Sequence, residues 1–293
     1  MAIIGVFGSL GMLGSHVSEL FSKSNHEVIE FNRKKIPHVK KNKVHLINAS
    51  DNLWVNELNQ INKKPDYIIN CIGKIKHKID EKNKNDLIEA INVNSVFSLD
   101  LATYCDKNKI QLIQVFTDCV YAGDTGKYNE RSKKSPIDIY GYTKAIGESL
   151  SFLSMNIRTS FIGLETETNL ELMSWLLSKK SNEKVRGFNN HVWNGVTALQ
   201  ISKIILSIID KDSFISGVFH LLPSDTVNKF ELLKLIQYYS QRNDFEIESY
   251  ESNLPIDRTL STIDPHFNYK LWQQAGYASI PSIAECVKEY FVH

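Results

Sequence analysis

The 293-residue chain has almost no excess charge and no long apolar run. Its 34 basic and 33 acidic side chains give a net charge of +1, so it lacks the basic excess typical of proteins that bind nucleic acid. No apolar stretch approaches the ~20 residues that a membrane-spanning helix needs. The N-terminus carries no charged segment followed by a cleavage site. We therefore expect a globular, cytoplasmic protein with neither a nucleic-acid nor a membrane partner.

Cysteine and histidine are also sparse. The four cysteines, Cys71, Cys105, Cys119 and Cys286, show no paired spacing, and the nine histidines are scattered. This pattern predicts neither a disulfide framework nor a metal site, so free and mostly buried thiols are expected. The sequence contains no internal repeat and no low-complexity linker. Its length fits one large domain or two small ones.

The first residues form an apolar run of strand length that ends in the spaced glycines Gly8, Gly11 and Gly14, and a helical pattern begins at Met12. Gly8 and Gly11 would let the backbone approach a pyrophosphate, whose charge the amides of the helix N-terminus would bind. Gly14 would let the helix lie close to the strand. We predict a dinucleotide site that also includes Leu10, Met12 and Leu13; the alternative is a purely structural turn.

The second predicted strand, residues 27–31, is followed by Asn32, Arg33 and Lys34. An acidic residue here would bind a free ribose 2′-hydroxyl, whereas Arg33 and Lys34 could neutralise a 2′-phosphate. The expected cofactor is NADPH, with NADH as the alternative. The competing interpretation is an ordinary basic surface loop, since lysines continue through Lys40 and Lys41.

Strand and helix patterns then alternate. A third strand leads to Asn48, and a fourth ends in the small residues Cys71-Ile72-Gly73, which leave room for the cofactor. Lys76 could face a substrate phosphate, although a lysine-rich run is more often solvated surface. Residues 86–108 predict a long helix, and residues 155–161 predict a sixth strand.

Polar residues follow the fifth predicted strand, residues 110–116. Thr117, with Asp118 and Cys119 after it, would lie at the carboxyl edge of the sheet, where open α/β sheets bind ligands. Tyr140 and Lys144 stand four residues apart, which places both on one face of a helix. An ammonium beside a phenol favours the phenolate, so we expect Lys144 to lower the pKa of Tyr140. Each of these features alone also fits a structural role.

Together these segments resemble the extended short-chain dehydrogenase/reductase superfamily, and most closely the dTDP-4-dehydrorhamnose reductase family. The specific part is Thr117-Asp118-Cys119-Val120-Tyr121 followed by Ser135-Pro136 and Tyr140-Gly141-Tyr142-Thr143-Lys144. The resemblance implies a Rossmann-type doubly wound parallel sheet with a smaller C-terminal substrate-binding lobe. It also implies Thr117, Tyr140 and Lys144 as the catalytic trio. Cys119 departs from the family, where an aromatic residue is common.

The expected domains are a Rossmann domain over 1–162, to which 198–211 returns, and a mainly substrate-binding lobe over 163–293. In this lobe His191 and Trp193 are candidate contacts to a sugar or base, or they pack between the lobes. Arg258 matches the family's C-terminal arginine segment and could clamp a diphosphate. Leu271 and Trp272 are expected to close the smaller lobe.

These features predict NAD(P)H-dependent reduction of the keto group of a nucleotide-linked 4-keto-6-deoxy sugar, in the biosynthesis of deoxysugars for surface polysaccharide. Tyr140 would give a proton to the carbonyl oxygen, which Thr117 would orient. The alternatives are an epimerase of the same superfamily and a catalytically silent, NADP-binding regulatory subunit. A dehydratase ranks lower, because Asp118-Cys119 supplies only half of an Asp-Glu pair. The resemblance leaves a homodimer open.

Overall fold

A computed structural model describes residues 1–34, 43–51, 53–148, 151–165 and 168–292. The strands in chain order are β1 (Ile3–Phe7), β2 (Glu27–Asn32), β3 (Lys43–Leu46), β4 (Tyr67–Asn70), β5 (Gln111–Phe116), β6 (Ser154–Arg158), β7 (Phe161–Ile162), β8 (Lys184–Phe188), β9 (His191–Trp193), β10 (Val196–Thr197), β11 (Gly217–His220), β12 (Val227–Asn228), β13 (Glu246–Tyr250) and β14 (Ile256–Asp257). The α-helices are α1 (Met12–Ser22), α2 (Trp54–Gln60), α3 (Lys84–Ile91), α4 (Phe97–Asn108), α5 (Ile139–Gly147), α6 (Leu172–Leu177), α7 (Ala198–Asp210), α8 (Lys229–Tyr239), α9 (Pro265–Gln274) and α10 (Ile283–Val292). None of the helices described is long and apolar enough to cross a membrane.

Seven strands form one parallel sheet in the order β11-β6-β5-β4-β1-β2-β3. The central strands β1, β4 and β5 are almost wholly buried and rich in Ile, Val and Leu, as expected for a sheet covered on both faces. The strand order reverses between β1 and β4, which is the position where doubly wound sheets bind ligands. The predicted Rossmann-type α/β fold is confirmed.

Helices cover both faces of this sheet. On one face α1 and α7 pack against each other and share an apolar core with β1 and β6. On the other face α2 and α4 enclose a second core around Phe7, Phe31 and Trp54. Both faces of the sheet are therefore closed, so the carboxyl edge of its strands is left to form a site.

The smaller lobe has its own core, formed mainly by β8, β13, α6, α8 and α10. The expectation that Leu271 and Trp272 close this lobe is wrong. Both side chains are fully buried in the core under the large sheet, where α9 packs against α7. The apolar face of α9 meets the isoleucine-rich face of α7.

Two predicted elements differ from the structure. The sixth strand ends at Arg158 as β6, and Phe161–Ile162 leave the sheet as β7 to pair with β10. The predicted long helix is continuous but contains a π-helical segment, Asn92–Val96, between α3 and α4. Such segments occur often at functional sites, and this one packs against α5.

Candidate active site

A cleft follows the carboxyl edge of the sheet and consists of two adjoining compartments. The glycine-loop compartment, a cavity of about 440 Å³, is lined by the turn after β1, the ends of β2 and β4, and Asn48. The tyrosine compartment, about 410 Å³, is lined by the end of β5, by α5 and by residues of the smaller lobe. Gly11, Met12 and Cys71–Gly73 line both compartments, so one elongated ligand can extend through the cleft.

The turn after β1 has the geometry that a phosphate loop requires. Gly8 has a φ of +78°, which strains any residue with a side chain. A Cβ on Gly14 would stand 2.0 Å from the carbonyl oxygen of Gly8, so α1 approaches the turn as closely as a glycine allows. Leu10, Gly11 and Met12 line the glycine-loop compartment beside Gly8, and Leu13 lines the tyrosine compartment.

A buried polar network supports this turn. Glu30, 1% exposed, accepts hydrogen bonds from the hydroxyls of Ser9 (2.6 Å) and Ser18 (2.5 Å). Asn32 donates from Nδ2 to Ser9 Oγ at 2.7 Å, while its Oδ1 is buried without a hydrogen-bond partner among the described residues. An unpartnered buried acceptor is costly, and this one belongs to the lining of the compartment.

The predicted basic residues Arg33 and Lys34 lie at the outer end of the same compartment. Arg33 forms an exposed ion pair with Glu89 at 3.3 Å. Lys74, which is 9% exposed, pairs with Glu89 at 2.6 Å and with Asp86 at 2.9 Å. The pocket wall is therefore mixed in charge, and Lys74 is more buried than its acidic partners. Lys40 and Lys41 lie outside the described residues.

Thr117 stands directly after β5 and is 7% exposed. Its hydroxyl donates to Asp118 Oδ1 at 3.1 Å and accepts from the backbone N–H of Cys119 at 3.1 Å. These bonds fix the threonine at the wall of the tyrosine compartment, which Asp118 and Cys119 also line. Burial raises the pKa of the Cys119 thiol to about 12, so it is neutral at physiological pH.

Helix α5 brings Tyr140 and Lys144 to the same compartment. Its N-cap is Asp138, whose carboxylate accepts a hydrogen bond from the N–H of Gly141 at 2.8 Å. Gly141 allows α5 to approach the segment after β5, because a Cβ there would stand 2.3 Å from the carbonyl oxygen of Cys119. A glycine one residue after the tyrosine thus holds Tyr140 next to Thr117.

The expectation that Lys144 lowers the pKa of Tyr140 is wrong. Burial raises the pKa of Tyr140 well above its ordinary value, and the nearby Cys119 raises it further, while a hydrogen bond with Thr117 acts in the opposite direction. Burial also lowers the pKa of Lys144 to about 8. The environment therefore disfavours both the tyrosinate form of Tyr140 and the ammonium form of Lys144, so Tyr140 is a protonated phenol.

The side chain of Lys144 forms no hydrogen bond or ion pair among the described residues. Its ammonium lies 5.0 Å from the centre of the Phe116 ring. A Cβ on Gly73 would stand 3.5 Å from Lys144 Nζ and 3.6 Å from Asn94 Oδ1, so any other residue at 73 would fill the space in front of the ammonium. With the glycine turn and the unpartnered Asn32 Oδ1, these residues fit a bound dinucleotide.

Some of the predicted substrate contacts line the tyrosine compartment and others do not. Lys76 and Trp193 line the tyrosine compartment, and Lys76 also pairs with Asp138 at 2.8 Å. His191 and Arg258 do not belong to the described lining. His191 stacks on Phe188, and Arg258 donates from Nε to the carbonyl oxygen of Tyr121 at 3.0 Å.

Among the residues in and beside the site that sequence reasoning missed are Glu171, Lys229 and Asn94. Glu171 and Lys229 line the tyrosine compartment. Asn94, in the π-helical segment, bonds to the backbone of Lys74 through both ends of its amide and donates to Thr143 of α5. The capping pattern before α8 was a usable signal for Lys229, since Asn228 and Glu231 mark a helix start.

No cluster of three or more His, Cys, Asp or Glu side chains that could hold a metal ion occurs within the described ranges. The four cysteines are free thiols.

Comparison with known proteins gives consistent matches. The family model described as RmlD substrate binding domain matches residues 1–290. The probable low-salt glycan biosynthesis reductase Agl14 of Haloferax volcanii is 27% identical over 231 residues, which cover 76% of this chain and 75% of that protein.

Solved structures match over nearly the full length. A dTDP-4-dehydrorhamnose reductase from Clostridium acetobutylicum has a TM-score of 0.76 at 20% identity and covers 99% of this chain and 98% of its own. The dTDP-4-dehydrorhamnose reductase from Bacillus anthracis in complex with NADP has a TM-score of 0.75 at 18% identity and covers 99% of both chains. At these identities the likeness shows the fold.

Proposed function

The chain belongs to the RmlD substrate-binding domain family, and from this membership we propose that it is an NAD(P)H-dependent reductase of a nucleotide-linked 4-keto-6-deoxy sugar. Its product would be a deoxysugar for surface polysaccharide. The relatives named above support this reaction class, since two are dTDP-4-dehydrorhamnose reductases and one is a glycan biosynthesis reductase.

One observation carries the proposal. Thr117, Tyr140 and Lys144 line one compartment, which is continuous with the glycine-loop compartment through Gly11, Cys71 and Gly73. A hydroxyl pair that can hold a carbonyl oxygen thus opens onto the same cleft as the turn that fits a dinucleotide. A carbonyl reduction needs these two parts side by side.

In the proposed reaction a bound reduced nicotinamide would supply a hydride to the carbonyl carbon. Thr117 and Tyr140 donate hydrogen bonds to the carbonyl oxygen, and these bonds strengthen as the oxygen gains negative charge. Tyr140 then transfers its phenolic proton to that oxygen, so the product is an alcohol. Its raised pKa keeps this proton in place at physiological pH until the oxygen becomes basic. Lys144 would bind the nicotinamide ribose.

NADPH is the proposed cofactor, with NADH as the alternative. Arg33 and Lys34 support a 2′-phosphate, because both line the outer end of the glycine-loop compartment. Glu89 weakens this preference, since it already pairs with Arg33. The remaining lining residues Asn32, Asn48 and Cys71–Gly73 would contact the ribose and the nicotinamide side.

We propose the domain division 1–162 and 163–293, with 198–211 belonging to the Rossmann domain. Its support is that α7 shares an apolar core with β1 and α1. We propose a cytoplasmic location, which agrees with four free thiols, and neither a nucleic-acid nor a membrane partner.

We also propose that the protein forms a homodimer. Light scattering on the purified protein tests it. A monomer at micromolar concentration would contradict it.

The function is tested by incubating the protein with NADPH or NADH and a panel of 4-keto-6-deoxy sugars linked to dTDP, UDP, GDP or CDP. Loss of reduced-cofactor absorbance with one nucleotide, and with no other, is the expected result. Binding of NADPH without turnover of any keto-sugar would contradict the reductase function.

A further inference from the structure

Two side chains of the tyrosine compartment carry opposite charges that no protein group satisfies. Glu171 and Lys229 both line the cavity and are half-buried. Neither forms a hydrogen bond or an ion pair with its side chain in the part of the chain that the structure describes. Two other charged side chains of the lining do have partners: Lys76 pairs with Asp138 at 2.8 Å, and Glu165 accepts bonds from the backbone N–H groups of Leu170 and Glu171.

Glu171 stands at the entrance to α6. Burial and the neighbouring Glu165 raise the pKa of its carboxyl, while His77, Lys78 and Lys229 act in the opposite direction without contacting it. The charge of Glu171 in turn contributes to the raised pKa of Tyr140, and both residues line the compartment. A partly buried carboxylate with free acceptors is stabilised by any ligand that brings hydroxyl or amine donors.

Lys229 is the first residue of α8, and its ammonium lies 5.1 Å from the centre of the Trp193 ring. Burial lowers the pKa of Lys229 to about 8, against the opposing charges of Asp118, Cys119 and Glu171. The charge of Arg258, which lies outside the described lining, also lowers the pKa of Lys229. A buried cation without an anion partner is stabilised by an anionic ligand.

We propose that Glu171 and Lys229 determine which sugar is accepted. Lys229 neutralises the phosphate attached to the sugar, and Glu171 accepts hydrogen bonds from the ring hydroxyls between the phosphorylated carbon and the carbonyl carbon. The substrate is thus a nucleotide-linked keto-sugar that keeps these hydroxyls, rather than a 2- or 3-deoxygenated one. This assignment rests on the proposed function, which identifies the ligand as a nucleotide-linked sugar.

The two charges act on each other without pairing. Lys229 lowers the pKa of Glu171 and Glu171 raises the pKa of Lys229, yet the two side chains form no ion pair among the described residues. A sugar ring between them would contact both, with its carbonyl directed to Thr117 and Tyr140. Three contacts, with Glu171, with Lys229 and with the hydroxyls of Thr117 and Tyr140, are enough to define the orientation of a sugar ring in the cavity.

The experiment measures binding and turnover separately. Titration calorimetry of the NADP⁺-saturated protein with dTDP-glucose, and with its 2-deoxy and 3-deoxy analogues, reports recognition without requiring chemistry. A hydrogen bond to a charged acceptor corresponds to a loss of about 10- to 100-fold in affinity. We expect at least one deoxygenation to cost this much in the wild type and less than about threefold in Glu171→Ala. Glu171→Gln, which keeps the shape, serves where the alanine variant does not fold.

Lys229→Met should weaken dTDP-glucose binding at least ~10-fold, as expected for loss of a charge-assisted contact. Lys234→Met is the matched control, because Lys234 lies on the same helix with its ammonium over Phe230 but is exposed and outside the cavity. Equal deoxygenation costs in the wild type and Glu171→Ala, or equal effects of the two lysine variants, would overturn the assignment.

These outcomes are distinguishable from failure of the proposed function. A protein that binds the sugar in a Glu171-dependent way but reduces no keto-sugar keeps the assignment and loses the reductase function. A protein that reduces a keto-sugar equally well with Glu171→Ala and Lys229→Met keeps the function and loses the assignment. A protein that binds no nucleotide sugar loses both.

Discussion

The buried ion pair between Arg158 and Glu148 gives a sharp test of how the catalytic helix is held. The side chains are 3% and 2% exposed, and Arg158 donates to both carboxylate oxygens of Glu148, at 2.7 and 2.5 Å. Arg158 Nη1 also donates to the hydroxyl of Tyr121 at 2.7 Å. Glu148 directly follows α5, which carries Tyr140 and Lys144, whereas Arg158 ends β6. The pair therefore ties the catalytic helix to the sheet.

Replacing Arg158 with Met leaves a buried carboxylate whose remaining cation is Lys134, at 3.2 Å. Breaking a buried pair on one side costs about 3–5 kcal/mol of folding free energy. That corresponds to a loss of more than ~100-fold in the ratio of folded to unfolded protein. The double variant Arg158→Met/Glu148→Leu removes both charges, so it should lie within about 2 kcal/mol of the wild type.

Urea unfolding of the wild type, both single variants and the double variant measures this cycle. Lys23→Met, which removes an exposed pair with Glu19, is the control and should change little. We also expect turnover to fall in the single variants, because α5 loses its anchor, and to recover partly in the double variant. A double variant that loses the sum of the single losses would refute the reasoning, as would an Arg158→Met variant as stable as the control.

Three further predictions concern the cleft. Tyr140→Phe should bind NADPH as the wild type does but lose most turnover, because the proton donor is gone; turnover near the wild-type rate would exclude Tyr140 from that role. Gly14→Ala should weaken NADPH binding at least ~10-fold and cost about 1–3 kcal/mol of stability, since its Cβ would meet the Gly8 carbonyl oxygen at 2.0 Å. Titration with NADPH measures the binding and urea unfolding measures the stability. Ser22→Ala is the control, in which neither quantity should change. Because the pKa of Lys229 is about 8, kcat/KM should fall as rising pH removes the proton from this lysine. Lys229→Arg should move the fall to higher pH. A pH profile that does not move in this variant would assign the fall to Lys144, whose pKa is also about 8.

The parts of the site that sequence reasoning anticipated are those encoded by short, local patterns. Gly8, Thr117 and Tyr140 each stand at the end of a strand or the start of a helix, and the parallel topology brings such ends to one edge. Their neighbourhood therefore follows from strand order, without any knowledge of side-chain packing.

The parts that it missed depend on tertiary contacts. Burial is the main cause of the raised pKa of Tyr140. The spacing of residues along the chain does not show how deeply a side chain will be buried. Glu171 and Lys229 occupy polar segments that look like surface until the smaller lobe folds over the sheet. Leu271 and Trp272 form an apolar helix face that could cover either lobe, and only the isoleucine-rich face of α7 decides which.

The most direct test of the central claim is the fate of the hydride. The protein is incubated with a 4-keto-6-deoxy nucleotide sugar and NADPH that carries deuterium at the transferable position, and the sugar is analysed by mass spectrometry. The account predicts a product in which the former carbonyl carbon carries one deuterium, formed in equal amount to the NADP⁺. A product without deuterium, or an epimerised sugar with no net consumption of NADPH, would contradict it.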